Sequence, residues 1–178
     1  MKAVIDTNVL LVANGDHGDV SDACIAECVL RLQCMQAEGT VVIDDAYRIV
    51  TEYLNKNRPN AAKGAGNVFL KWLLRHTANP LRVHQVPLTE PRPDCFVEFP
   101  DPALEPRFDR PDRKFVAVAC AHPERPPVWQ AADCKWLDWW RPLADVGIRV
   151  DFLCPVDACR FYFKKFPDKP APQVPAAQ

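Results

Sequence analysis

Short apolar runs alternate with longer amphipathic stretches along most of this chain. Ala3-Val4-Ile5 is a compact, branched run that predicts a buried strand over residues 2–5, closed at once by Asp6. Residues 19–38 keep helical spacing, with Ser21 or Asp19 as cap and Gly39 as stop. Val41-Val42-Ile43 predicts a second strand. Asp44 or Asp45 then caps a helix whose apolar positions Ala46, Ile49, Val50, Tyr53 and Leu54 recur at helical intervals, and Pro59 ends it. A helix is expected over 61–77 and a short strand over 81–86.

The pattern then breaks. Seven prolines between residues 87 and 111 exclude a long helix or a central strand there, although Cys95 to Phe99 reads as a short edge strand. Order resumes with a helix over 112–122, a strand around Val128-Trp129, a helix over 134–146 bent or broken by Pro142, and a strand from Ile148 to Leu153. From Pro167 the chain is rich in Pro, Ala and Gln, which predicts a disordered tail over 167–178. Strands alternating with helices predict an α/β fold, a three-layer α/β/α domain with a mainly parallel sheet over residues 1–166.

Composition narrows this picture. A length of 178 residues suits one domain, and a net charge of −1 excludes a polycation, so any nucleic-acid contact must come from a local basic patch. Asp6 interrupts the apolar stretch nearest the N-terminus, which argues against a signal peptide, and no segment is long and apolar enough to span a membrane. Of the eight cysteines, Cys24, Cys28 and Cys34 fall in a helical pattern and read as buried thiols; the expectation is a reducing cytoplasm without disulfides. The cysteine and histidine spacings carry no zinc signature.

The acids carry the chemistry. Asp6 ends the first strand, and a carboxylate there must be solvated, paired or bound to metal. Asp133 follows the Val128-Trp129 strand, Asp112 opens the helix before it, and Glu52 lies two turns into the helix after strand two. Ligands gather beyond the carboxyl ends of such strands, within reach of all four. Singly, Asp112 and Asp133 also read as helix-terminal acids, Glu52 as a solvated face residue and Asp6 as a turn former. Together they would repel without cations, and hard oxygen donors select Mg²⁺ or Mn²⁺.

Val4-Ile5-Asp6-Thr7-Asn8-Val9-Leu10 resembles the N-terminal signature of PIN domains. Asp112-Arg113-Lys114-Phe115-Val116-Ala117-Val118-Ala119 resembles their third acidic motif, and Ala131-Ala132-Asp133-Cys134-Lys135-Trp136 their fourth. Gly147 to Pro155 is similar to their closing strand, so the resemblance spans about residues 1–155. It implies a metal-dependent endoribonuclease with a two-ion Mg²⁺ or Mn²⁺ site on Asp6, Glu52, Asp112 and Asp133, leaving 5′-phosphate and 3′-hydroxyl ends. It also implies that Asn8 orients the first acid, while Asp138 reads either as an outer acid or as a solvated helix position. The partners it implies are RNA, a protein antitoxin if the chain is a toxin or defence nuclease, and a second copy in a homodimer. Two departures stand out: Ala131 and Ala132 replace the hydroxyl or amide common before the last Asp, and the proline-rich insertion is long.

Arg113 and Lys114, beside Asp112, are the first candidates for phosphate contact, followed by Arg107 and Arg110 and by Arg48, Lys56, Arg58 and Lys63. Trp136, Trp139 and Trp140 recur at helical spacing, which suits core packing or base stacking. The rival readings are a non-catalytic PIN-like scaffold that binds RNA or protein and a small-molecule phosphatase.

Overall fold

The computed structural model describes residues 1–57 and 64–175. The expected helix stop at Pro59 and the candidate cations Arg58 and Lys63 lie outside the described residues, as does the start of the helix expected over 61–77. Five strands form one sheet: β1 (Lys2–Ile5), β2 (Thr40–Asp44), β3 (Val83–Val86), β4 (Val128–Gln130) and β5 (Val150–Phe152). Their order is β3-β2-β1-β4-β5 and every pair is parallel. Among the described residues, seven α-helices flank the sheet in a three-layer α/β/α arrangement: α1 (Thr7–Ala13), α2 (Asp22–Glu38), α3 (Arg48–Lys56), α4 (Ala65–His76), α5 (Arg113–Ala121), α6 (Trp136–Asp145) and α7 (Pro155–Lys165).

The central strands are sheathed, while the edge strands β3 and β5 are partly exposed. Ala3, Val4 and Ile5 on β1 and Val41, Val42 and Ile43 on β2 are wholly buried. Burial of each such Val or Ile side chain contributes about 1.5–3 kcal/mol. Helices α1, α2 and α4 pack on one another, while α5 lies across β1, β2 and β4. Gly66 makes the α1–α4 approach possible, since an added Cβ would stand 2.2 Å from the Leu10 carbonyl oxygen.

Several expectations change. Helix α1 follows β1 directly, where the apolar run Val9 to Ala13 gives no amphipathic period because Val9, Leu10, Val12 and Ala13 are all buried. Helix α7 occupies a stretch without a predicted element. Pro155 at its first position, Asp157 in the first turn and Lys164 and Lys165 in the last are the signals that mark it. Cys95 to Phe99 is not an edge strand; only an Arg92–Cys95 bridge forms. The proline-rich segment is instead anchored by aromatic side chains. Phe96, Phe99 and Phe108 are buried, and the Phe108 ring has its centroid 4.5 Å from that of Trp139 and meets Trp136 edge-on. Trp136 and Trp139 are therefore core residues. Beyond Pro167 the described residues hold no regular element, but the Trp140 indole donates to the Gln173 carbonyl at 2.7 Å.

The cysteines also depart from expectation. Cys24 and Cys154 form a disulfide, which joins the first turn of α2 to the residue before α7. The cysteines are therefore not all reduced, which removes the argument from free thiols to a reducing compartment. Cys28 is a buried thiol as expected, whereas Cys34 is only half-buried. Among the described residues, no helix is long and apolar enough to cross a membrane.

Candidate functional site

Asp6 is both the end of β1 and the cap of α1. Its carboxylate accepts from the Asn8 amide at 2.8 Å, and the residue is only 5 % exposed. Below it, the buried Tyr53 hydroxyl donates to the Ile5 carbonyl, which pins α3 to the end of β1. The Asn8 side chain serves the neighbouring strand end: its Oδ1 accepts from the Ala131 amide at 3.0 Å. Asn8 thus joins the residue carrying the first acid to the loop carrying Asp133. The Asp133 carboxylate in turn accepts from the Lys135 amide at 3.1 Å.

Glu52 is placed by side chains from two other elements. Thr7 Oγ1 donates to its Oε1 at 2.7 Å, and Lys114 Nζ forms an ion pair with its Oε2. Thr7 was not among the residues expected at the site; its place between Asp6 and Asn8 in the opening motif is the signal that could have marked it. Asp44, the neighbouring acid, ends β2 and is wholly buried; Tyr47, not Asp44 or Asp45, holds the cap position of α3, but the Asp44 carboxylate accepts from the Arg48 and Ile49 amides at 2.8 and 2.9 Å.

The four acids feel one another. Burial and then the Asp112 carboxylate hold the Asp6 carboxyl well above the usual range, opposed by the Asn8 amide and reinforced by Asp133 and Glu52. Burial, Asp133 and Glu52 push the Asp112 carboxyl up to about 7, against the lowering influence of Lys114. Burial and the charges of Asp6, Glu52 and Asp44 likewise raise the Tyr53 phenol. The cluster is a shared field rather than a closed coordination sphere. Among the described residues, the group of three or more ligand atoms within 4.8 Å of one another is Cys24, Cys28 and Cys154, not a set of carboxylates.

Two expected roles are redirected. Arg113 is buried and points into the insertion: its guanidinium donates to the Phe108 carbonyl at 3.2 and 3.3 Å and to the Asp94 carbonyl at 3.3 Å. A guanidinium committed to backbone oxygens in this way fastens the insertion and is not presented to phosphate. Asp138 accepts from the Tyr162 hydroxyl at 2.5 Å and from Lys169 Nζ at 2.7 Å, so it ties α6 to α7 and the segment after it. Lys114 remains at the site, but buried and paired with Glu52. Arg48 pairs with Glu90 at 2.8 Å and Asp44 at 3.5 Å. Arg107, Arg110 and Lys56 are exposed. The chain matches no protein-family model, no curated protein and no solved structure.

Proposed function

We propose that this protein is a metal-dependent endoribonuclease of the PIN type. One observation carries the reading: four carboxylates from four separate segments share one electrostatic field at the carboxyl ends of β1 and β4, and two of them resist ionising together. Such a donor set fits Mg²⁺ or Mn²⁺, because a hard divalent cation relieves the repulsion that raises these carboxyls. Asp6, Glu52, Asp112 and Asp133 would hold it. When bound, such ions supply Lewis acidity toward a phosphodiester and toward the attacking water.

The chain's own residues do the rest. The Asn8 amide and Thr7 hydroxyl fix the Asp6 and Glu52 carboxylates, so their geometry exists before substrate arrives. The Asn8–Ala131 hydrogen bond sets the Asp133 loop against β1 without help from a hydroxyl at Ala131 or Ala132. The Lys114 ammonium offsets part of the negative field while paired with Glu52. Exposed Arg107 and Arg110, close in sequence to Asp112, are suited to the RNA backbone, where they position the strand without reading its sequence.

The Lys114–Glu52 pair and the open spacing of the acids favour one second reading, a non-catalytic scaffold. A single experiment separates them: purified protein with total RNA, with and without Mn²⁺, beside Asp6→Asn. Asn at position 6 can still accept from the Asn8 amide, so the fold is retained. Mn²⁺-dependent cleavage leaving 5′-phosphates, lost in Asp6→Asn, is the expected result. Undiminished cleavage by the variant, or no divalent-ion binding by the wild type, would sink the proposal.

A further inference from the structure

A second, chemically different centre lies away from the acids. Cys24 and Cys28 stand one helical turn apart on α2, and Cys154 reaches them from the end of β5. All three are buried, at 3, 0 and 4 % exposed, and one ligand atom from each lies within 4.8 Å of the others. The Cys28 and Cys154 sulfurs are 3.8 Å apart. Two sulfurs sharing a tetrahedral ion at about 2.3 Å each would sit at about that separation.

Two further facts distinguish this trio from ordinary core cysteines. Cys24 is in the first turn of α2, and its amide is capped by Ser21 Oγ at 3.2 Å. Cys154 is itself the cap of α7. Both sulfurs therefore sit at the N-terminal ends of helices, whereas burial and then Glu27 push the Cys28 thiol up to about 12, so that it would give up its proton to a bound ion rather than to water. The surroundings hold the two helix starts together independently of the sulfurs. Asp157 on α7 accepts from the Ser21 hydroxyl at 2.6 Å and from its amide at 3.2 Å, and Arg160 bonds to Asp157 and to the Asp19 carbonyl. Opening the disulfide would leave three sulfurs gathered by this polar clamp.

We propose that the reduced chain binds a soft, thiophilic metal ion at Cys24, Cys28 and Cys154, and that the disulfide is the metal-free, oxidised state of the same site. An external reductant supplies two electrons and two protons, a pair of thiols becoming a disulfide or a phosphine and a water becoming the phosphine oxide, and the Cys24–Cys154 bond opens to two thiols. The ion then takes the place of the thiol protons, which pass to solvent. Thiolates select Cu⁺ or Zn²⁺ over the hard ions suited to the carboxylates. Among the described residues no fourth His, Cys, Asp or Glu joins the trio, which matches three-coordinate Cu⁺ better than Zn²⁺, whose fourth position would need a water.

The test uses the full chain, phosphine-reduced and freed of metal, titrated separately with Cu⁺ and Zn²⁺ against chromophoric chelators. Co²⁺ serves as a probe of sulfur ligation through its thiolate charge-transfer absorption. The oxidised chain and Cys28→Ser are the comparisons, and circular dichroism reports that each is folded. One ion per reduced chain is expected, with none in the oxidised chain. Even outer partners of metal ligands are worth about 10–100-fold in affinity, so losing the Cys28 ligand should weaken binding by more than about 100-fold. Failure of the folded, reduced wild type to bind either ion overturns the proposal, as does metal binding undiminished in the oxidised chain or an affinity unchanged in folded Cys28→Ser. The reduced-against-oxidised comparison stands even if the variant does not fold.

Discussion

Asp112→Asn is expected to stabilise the metal-free protein at and above neutral pH. The Asp112 carboxyl stands at about 7 in the folded chain against an ordinary 3.8. At about 1.4 kcal/mol per pH unit, this displacement corresponds to a destabilisation of at most ~4 kcal/mol once the group is ionised. The folded chain binds the proton more tightly than the unfolded chain. Stability therefore falls as pH rises from about 4 to about 7 and levels off above that range. Asn carries no charge and escapes this loss, although it also gives up the attraction to Lys114, the smallest of the influences on Asp112. Because Asp6 shares the same field, a net gain of about 2 kcal/mol is the working figure. Urea unfolding in chelator, near pH 4, 6 and 8, reads it as a shift in midpoint at constant slope. Added Mn²⁺ should reverse the order, since a ligand at a hundred times its Kd stabilises the wild type by about 2.7 kcal/mol and the variant by less. A variant midpoint below that of the wild type near pH 8 in chelator would refute the repulsive cluster.

Thr7→Val removes the hydroxyl that holds Glu52 at 2.7 Å; Mn²⁺ affinity measured by calorimetry should fall about 10-fold, and an unchanged Kd would remove Thr7 from the site. Arg113→Gln strips the insertion of its buried donor to Phe108 and Asp94 and should cost about 2–3 kcal/mol in thermal or urea unfolding, with the KM for RNA unchanged. A raised KM with unchanged stability would restore Arg113 to the phosphate-binding surface.

Local signals explain what was legible in the sequence. Val41-Val42-Ile43 and Ala3-Val4-Ile5 are too short and too branched to be anything but sheathed strands, and α2 displays both its Ser21 cap and its Gly39 stop. Asp6 and Asp133 each directly follow a strand in the sequence, which assigns both to the carboxyl end of the sheet. What stayed hidden depends on contacts between distant segments. Helix α1 has no polar face to reveal its period. Arg113 looks exposed at a helix start until the insertion folds back over it, and the buried Phe96, Phe99 and Phe108 that hold the insertion down are its only warning. No local pattern announces that Thr7 will meet Glu52, that Lys114 will reach the same carboxylate, or that Cys154 will join Cys24 across 130 residues.

The strand order β3-β2-β1-β4-β5 has a consequence for synthesis. The two strands that flank the acids, β1 and β4, come from opposite parts of the chain, and their parallel pairing spans more than a hundred residues. A chain emerging from the ribosome can build β1, β2 and β3 with their helices, yet it lacks the fourth acid until residue 133 is free. The carboxylate cluster is therefore incomplete until residue 133 has emerged, well after β1, β2 and β3. The proposed RNA-cutting centre would thus stay unfinished while the stretch of message that encodes its first three acids is read.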